Sequence, residues 1–200
     1  MKGIDVSEHN GLVDWGAVKN AGYEFALVRL GWGRSHLDNR FYENINGAIS
    51  KNLKVGAYYY SYALDEVDAA DEAEFTASIL EDCGLLPDLL EMGVWIDEED
   101  SDEYRRRNGL FDSYDPRQSI TNMANIFINR MWDSNFTTGV YCNCDWYENY
   151  LDFDQLGGCG LWLAEPNAGS PSYPCHLWQY TFHAFIDGSE FDADELLKDL

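Results

Sequence analysis

Short apolar runs alternate with helix-like stretches along the whole chain. Several of these runs contain no interspersed polar residue, which is typical of parallel strands that are buried on both faces. The repeated order of strand and helix predicts an α/β fold whose parallel sheet closes on itself into a single-domain, irregular (β/α) barrel. The candidate strands are residues 3–7, 24–30, 54–62, 93–97, 138–142, 160–164 and 176–181, followed by two short extended stretches that end near Asp192.

The segments between these runs contain helix signals. Asp14 is suited to cap a helix that begins at Trp15, and Asp65 with Asp68 is suited to begin a second helix. Pro116 precedes a third helix, as the first turn of a helix allows. The apolar faces expected for the second and third helices are Ala70, Ala73, Ala77 and Leu80, and Ile120, Met123, Ala124, Phe127, Ile128 and Met131.

Length and charge limit the kinds of partner. A chain of 200 residues suits one domain with a sizeable core, and its 36 acidic and 13 basic residues give a net charge of −23. Nucleic-acid binders need a basic surface, and anionic membranes repel a protein this acidic, so both are excluded as partners. The five cysteines form no Cys-x-x-Cys pair and are expected to be thiols rather than metal ligands. We expect a monomer without a metal or a cofactor.

Four acidic residues, Asp97-Glu98-Glu99-Asp100, follow the apolar run that ends at Ile96. On an extended strand Asp97 and Glu99 lie on the same side, about 6.6 Å apart along the backbone. Like charges this close raise each other's pKa, because ionising the second group costs more once the first is charged. A carboxylic acid that stays protonated near neutral pH is able to give its proton to a leaving oxygen. The pattern favours a catalytic acid pair, with a solvated acidic loop as the alternative.

Two further acids stand in strand-like segments. Asp5 is a lone acid inside the short first strand, where burial without a partner would be costly, and Asp192 lies at the end of an extended stretch. Residues at the ends of barrel strands form the active site in this type of fold, so both acids are candidates for the same face as Asp97. Asp187 and Asp194 look similar and are interpreted as loop acids.

Aromatic residues crowd several candidate strands. Aromatic faces pack well against the apolar faces of sugar rings, and their polar edges bond hydroxyl groups. A subset is therefore expected to line a saccharide-binding groove, with ordinary core packing as the alternative for each. The candidates for substrate contact are Tyr58, Tyr60, Tyr141, Trp162 and Trp178.

A series of short motifs occurs in a fixed order along nearly the whole chain. They are GIDVS (3–7), NG (10–11), VDW (13–15), GAYYY (56–60), WIDEE (95–99), LWLA (161–164), LWQY (177–180), IDG (186–188) and FD (191–192). This order resembles glycoside hydrolase family 25, the Chalaropsis-type lysozymes found in phage endolysins and bacterial autolysins. Tyr59 stands where that family usually has His, and Glu165 stands where it often has Gln or Gly.

The resemblance implies a TIM-like barrel and one catalytic domain, residues 1–200, acting as an N-acetylmuramidase. It implies Glu99 as the general acid. It also implies that Asp97, Asp5 and Asp192 are supporting carboxylates, which shape the charge and orient the 2-acetamido group of the substrate. The implied partner is the glycan strand of bacterial peptidoglycan, cut at the β-1,4 bond between N-acetylmuramic acid and N-acetylglucosamine.

The alternatives are a chitinase-like or endo-glucosaminidase-like enzyme, which the sequence does not fit, and a non-catalytic relative. Family 18 chitinases use Asp-x-x-Asp-x-Asp-x-Glu, and Trp95 and Met92 stand where that motif, aligned on Glu99, requires acids. A non-catalytic glycan-binding relative of the same barrel stays open as the alternative, although Glu99 and Asp97 are both present. The spacing of these two acids falls between the separations of retaining and inverting glycosidases, so it does not decide the stereochemistry.

The polar segment 98–115 is longer and more charged than the family leads us to expect. Its basic run, Arg105-Arg106-Arg107, is interpreted as part of a solvated loop, with a grip on a peptide carboxylate of the substrate as the alternative. No apolar signal segment precedes the first strand. We therefore expect synthesis in the cytoplasm and action on the cell wall, either after release by lysis or from a chain whose leader has been removed.

Overall fold

The computed structural model describes all 200 residues as a closed barrel of strands with helices packed around it. The strands are β1 (Lys2–Val6), β2 (Phe25–Trp32), β3 (His36–Leu37), β4 (Lys54–Tyr60), β5 (Val94–Asp97), β6 (Thr138–Asn143), β7 (Gly160–Ala164), β8 (Leu177–Ile186) and β9 (Ser189–Leu196). The helices are α1 (Trp15–Asn20), α2 (Phe41–Ser50), α3 (Glu66–Asp82), α4 (Tyr104–Arg107), α5 (Pro116–Asp133) and α6 (Cys144–Asn149), with single 3-10 turns at Glu8–Asn10, Leu110–Asp112 and Phe153–Gln155. None of the helices has the length and apolar character needed to cross a membrane.

The strand order is β1-β9-β8-β7-β6-β5-β4-β2, and β1 pairs with β2 to close the barrel, while β3 extends from the end of β2. Seven barrel strands run parallel, whereas β9 is antiparallel to both β1 and β8. The predicted single-domain, irregular (β/α) barrel is confirmed, and its sheet is parallel except at β9. The reason is the turn Asp187-Gly188, whose φ angles are 47° and 84°, as two-residue hairpin turns require. So short a connection joins only antiparallel strands.

The predicted helix caps and strand positions are confirmed apart from element ends. The carboxylate of Asp14 accepts a hydrogen bond from the backbone N of Ala17 at 2.9 Å, and Asp65 caps α3. Every predicted apolar residue of α5 is buried. In α3, however, Ala69 rather than Ala70 is buried. The last two strands extend past their predicted ends because the β8–β9 hairpin continues the pairing to its turn.

Large aromatic side chains fill the barrel beneath its mouth, and glycines on neighbouring strands make room for them. Trp95 is fully buried, and its Nε1 donates to the carbonyl oxygen of Met92 at 2.6 Å. A Cβ atom at Gly139 would lie 2.5 Å from the Trp95 ring, and one at Gly160 would lie 2.7 Å from it. The absence of a side chain on β6 and β7 at this level is what lets the indole fit.

We expect Gly139→Ala to destabilise the fold by about 1–3 kcal/mol, the range for overpacking a core. The added methyl group would meet the Trp95 ring and lie 2.2 Å from the carbonyl oxygen of Gly160, so the backbone must move. The unfolding midpoint in urea measures this change. Gly169→Ala is the control, because that exposed position has open space around it. An unchanged midpoint for Gly139→Ala would contradict this account of the packing.

Candidate active site

The four candidate acids lie around one cavity of about 510 Å³ at the end of the barrel. Asp5 is on β1, Asp97 ends β5, Glu99 follows β5 by two residues, and Asp192 is on β9. Asp5 and Asp192 are paired residues of the β1–β9 ladder. The cavity opens where the parallel strands end, which is the active-site end of β/α barrels. The fold thus brings together acids that are far apart in the sequence.

Asp97 is the most desolvated of these four acids. Its side chain is buried, and Oδ1 has no hydrogen-bond partner in the protein. Burial raises the pKa of Asp97 well above its ordinary value, and the charges of Glu99 and Glu98 raise it further. Asp97 therefore lines the cavity with a carboxyl group whose environment favours the protonated form.

Glu99 lies at the rim and is held by a hydroxyl group. The Ser101 Oγ donates to Glu99 Oε1 at 3.0 Å and lies 3.0 Å from the hydroxyl oxygen of Tyr60. Burial raises the pKa of Glu99 above its ordinary value, the Ser101 hydrogen bond opposes this shift, and the charges of Asp102 and Asp100 add to it. The arrangement fixes one carboxyl oxygen and favours a proton on the group.

Asp5 is bonded by an amide that the sequence analysis did not single out. Gln179 Nε2 donates to Asp5 Oδ2 at 2.8 Å, and the Tyr141 hydroxyl donates to Gln179 Oε1 at 2.8 Å. Burial, followed by the charge of Asp192, raises the pKa of Asp5 to about 7. Gln179 lies inside the LWQY motif, so its place in the motif was the available signal.

Asp194 is a second residue whose role the sequence did not reveal. It was interpreted as a loop acid, but it lies on β9 and is fully buried below Asp5. Trp162 Nε1 donates to Asp194 Oδ1 at 2.7 Å. Burial and the charge of Asp5 raise the pKa of Asp194 well above its ordinary value. Burial likewise raises the pKa of Asp192 to about 6, against the effect of His183.

Four of the five predicted aromatic residues line the cavity, namely Tyr58, Tyr60, Tyr141 and Trp162. Trp162 packs edge-on to Tyr141 and Tyr58, with ring centroids 4.6 and 5.7 Å apart. Trp178 does not line the cavity, so its assignment as a substrate contact is withdrawn. It packs in the core outside the barrel, and its Nε1 donates to the carbonyl oxygen of Glu165 at 3.1 Å.

The alternation of side chains between the two faces of β8 explains why Trp178 does not line the cavity. Leu177 packs with the residues that fill the barrel, and Gln179 lines the cavity. Because successive side chains of a strand point to opposite faces, Trp178 between them must point outward.

The basic run after β5, Arg105–Arg107, was predicted to lie in a solvated loop. That prediction is wrong for its first residue. Arg105 is fully buried and pairs with Glu98, whose side chain is also buried. Only Arg106 and Arg107 are exposed, and the Arg106 guanidinium lies 4.7 Å from the ring centre of Phe111. The sequence shows three adjacent charges, but the burial of the first depends on a partner seven residues earlier.

A buried polar network holds this segment against the barrel. The Arg105 guanidinium also donates to Ser61 Oγ, which in turn donates to Glu72 Oε2 at 2.7 Å. Burial raises the pKa of Glu72 to about 7, although its hydrogen bond from Ser61 and the Arg105 charge oppose the shift. The Asp100 carboxylate accepts from the backbone N of Arg105 at 2.7 Å. The loop that includes Glu99 is thus tied to both β4 and α3.

We expect Asp194→Asn to stabilise the protein increasingly as pH rises above about 3.9, the ordinary pKa of an aspartate, toward the raised pKa of the folded state. The folded state raises the pKa of Asp194, so it binds a proton more tightly than the unfolded chain does. Stability from such a group is present at low pH and lost as pH rises above the unfolded pKa toward the folded one. Asparagine removes this loss and still accepts the Trp162 hydrogen bond. Thermal unfolding across pH measures the effect.

Asp154→Asn is the control for that series, because it removes an exposed acid of the same type. A stability difference between Asp194→Asn and wild type that shrinks as pH rises would show that Asp194 is not a destabilising buried acid.

The chain matches known proteins over nearly its full length. Lysozyme M1 of Streptomyces globisporus is 36% identical over 212 residues, which cover 97% of this chain and 66% of that protein. The autolytic lysozyme of Clostridium acetobutylicum is 27% identical over 198 residues, which cover 97% of this chain and 54% of that protein. This chain therefore spans between about half and two thirds of the length of these two relatives.

A solved structure shows the same fold. The modular autolysin LytC from Streptococcus pneumoniae, determined in complex with a synthetic peptidoglycan ligand, superposes with a TM-score of 0.79 at 20% identity. The superposition covers 96% of this chain and 46% of that one. Residues 4–189 match the family described as glycosyl hydrolases family 25. The resemblance seen in the sequence is confirmed, and the chain belongs to glycosyl hydrolases family 25.

Proposed function

We propose that this protein is an N-acetylmuramidase that hydrolyses the β-1,4 bond between N-acetylmuramic acid and N-acetylglucosamine in bacterial peptidoglycan. The observation that supports it most is the convergence of Asp5, Asp97, Glu99 and Asp192 on one cavity, each with a pKa raised by burial. Two relatives that match 97% of the chain are lysozymes, which is consistent with this activity. The peptidoglycan-bound relative is consistent with a glycan strand as the partner.

Glu99 acts as the general acid. A raised pKa favours a proton on its carboxyl group, and that proton passes to the glycosidic oxygen as the bond to the anomeric carbon breaks. Water supplies the hydroxyl group that the anomeric carbon gains and the proton that restores the acid. Ser101 holds the carboxyl group in place through the hydrogen bond to Oε1.

The other three acids support the reacting sugar. The carboxyl group of Asp97 lines the cavity and is an acceptor for the N–H of a 2-acetamido group. The pKa of Asp5 is about 7 and that of Asp192 is about 6, so both carboxyl groups become negative as pH rises from mildly acidic to neutral. Negative charge beside the anomeric carbon stabilises the oxocarbenium-like transition state. Tyr58, Tyr141 and Trp162 provide the aromatic walls against which sugar rings pack.

Glu99→Gln is expected to lower glycan cleavage at least about 10²-fold, because the amide keeps the shape of the side chain and removes the transferable proton. Turbidity loss of purified cell walls and new reducing ends on muramic acid measure the reaction. Asp112→Asn is the matched control, since it removes an exposed acid from the same segment.

Near-wild-type cleavage by the Glu99→Gln variant would refute the assignment of the general acid. A wild-type protein that binds glycan strands but releases no new reducing ends would instead support the non-catalytic alternative.

The rate is expected to fall as pH rises through the raised pKa of Glu99, since only the protonated acid is active. Ser101→Ala removes a hydrogen bond that lowers this pKa, so the falling limb should move to higher pH. Profiles of kcat/KM against pH for both proteins test the sign. A limb that moves to lower pH, or does not move, would contradict the role given to Ser101.

A further inference from the structure

A second cavity of about 490 Å³ adjoins the cavity that holds the four acids. Trp32 and Tyr62 line both cavities, so the two adjoin at these aromatic side chains. The second cavity lies between the end of β2, the segment after β4, and α4. Tyr104, the first residue of α4, forms part of its wall. A polymer that is longer than the acid cavity and extends past Trp32 and Tyr62 would therefore reach the second cavity.

A row of tyrosine rings runs from one cavity to the other. Tyr60 lines the acid cavity and packs against Tyr62 with ring centroids 5.1 Å apart, and Tyr62 packs against Tyr104 at 4.7 Å. The Tyr62 hydroxyl donates to Asp102 Oδ2 at 2.7 Å, which fixes that ring. Rings that are already held lose little further freedom when a ligand packs against them, so they suit the apolar face of a sugar.

The charges of the second cavity are already paired. The exposed guanidinium of Arg34 contacts the carboxylate of Asp68 and lies 3.9 Å from Asp71. The carboxylate of Asp65 accepts two backbone N–H groups at the start of α3. A site whose cation is engaged in this way has little to offer an anionic peptide stem. Its aromatic side chains, Trp32, Tyr62 and Tyr104, suit the apolar face of an uncharged sugar such as N-acetylglucosamine.

The position of Tyr104 is fixed by the buried residue that follows it. Arg105, the next residue, is fully buried and pairs with Glu98, so α4 is anchored to the barrel one residue beyond the ring. The segment that the sequence marked as unusually long and charged therefore provides a rigid aromatic surface beside the acids.

We propose that this second cavity is a saccharide subsite that binds a sugar of the glycan strand beyond the pair that flanks the scissile bond. The inference rests on the proposed function for the identity of the polymer. If a sugar occupies this cavity, longer strands bind more tightly than a disaccharide. Tyr104 then provides part of the difference in affinity.

The test measures binding by calorimetry in a Glu99→Gln background, so that no turnover occurs. The ligands are peptide-free peptidoglycan glycan strands, sorted into the disaccharide and longer chains. Adding Tyr104→Ala should weaken binding of the longer chains roughly 3- to 10-fold, the range for one aromatic contact, and leave the disaccharide unchanged. Tyr104→Phe keeps the ring and should bind as the parent does.

Tyr114→Ala is the matched control, because Tyr114 is fully exposed on the same segment and lines neither cavity. Equal affinities for the Tyr104→Ala protein and its parent would overturn the proposal. So would an equal loss for the disaccharide, or a loss seen only with strands that still bear peptides. Failure of the wild type to cleave walls would refute the proposed function without altering this length dependence.

Discussion

The burial of several carboxyl groups around one cavity is the constraint on which the rest of this structure depends. An ionised carboxylate without partners is costly away from water, so a protein must either leave it protonated or supply donors. Both solutions are present here. Asp97 has an oxygen with no partner and a strongly raised pKa, whereas Asp5 receives a hydrogen bond from Gln179 and its pKa is raised to about 7. The cavity thus combines groups that hold a proton with groups that gain charge near neutral pH.

The acids at the mouth of the barrel depend on the packed aromatic layer beneath them. Trp162 contacts both the cavity at the mouth and that layer. Its ring packs against Tyr141 and Tyr58 at the cavity and against Trp95 below, while its Nε1 bonds Asp194. Trp95 in turn fits only because β6 and β7 have glycines facing it. The acids are therefore placed by packing that begins deep in the barrel, and small changes there alter the distances between carboxyl groups at the mouth.

The sequence predicted the strands well, because parallel strands buried on both faces leave uninterrupted apolar runs, and it predicted that Asp97 lies at the end of one of them. It did not predict that β9 is antiparallel to its neighbours. It also predicted that the last extended stretch ends near Asp192, whereas β9 continues to Leu196. Two residues after Asp192 on the same face, Asp194 is inside the barrel rather than in a loop. Trp178 was misplaced for a related reason: an apolar run does not show which of its side chains face inward. Only its neighbours Leu177 and Gln179 reveal that in the structure.

Arg105 was beyond local sequence reasoning because its partners lie on three separate elements. Its guanidinium forms an ion pair with Glu98 after β5. It also donates to Ser61 after β4, which in turn donates to Glu72 on α3. A buried ion pair adds little net stability compared with apolar side chains of similar size, because desolvation offsets the attraction. What it does add is a defined position for the segment, since moving Arg105 away would leave the buried Glu98 without its partner. That segment includes Glu99 at one end and Tyr104 at the other. The same buried charge that costs stability therefore sets the distance between the proposed acid and the aromatic surface beside it.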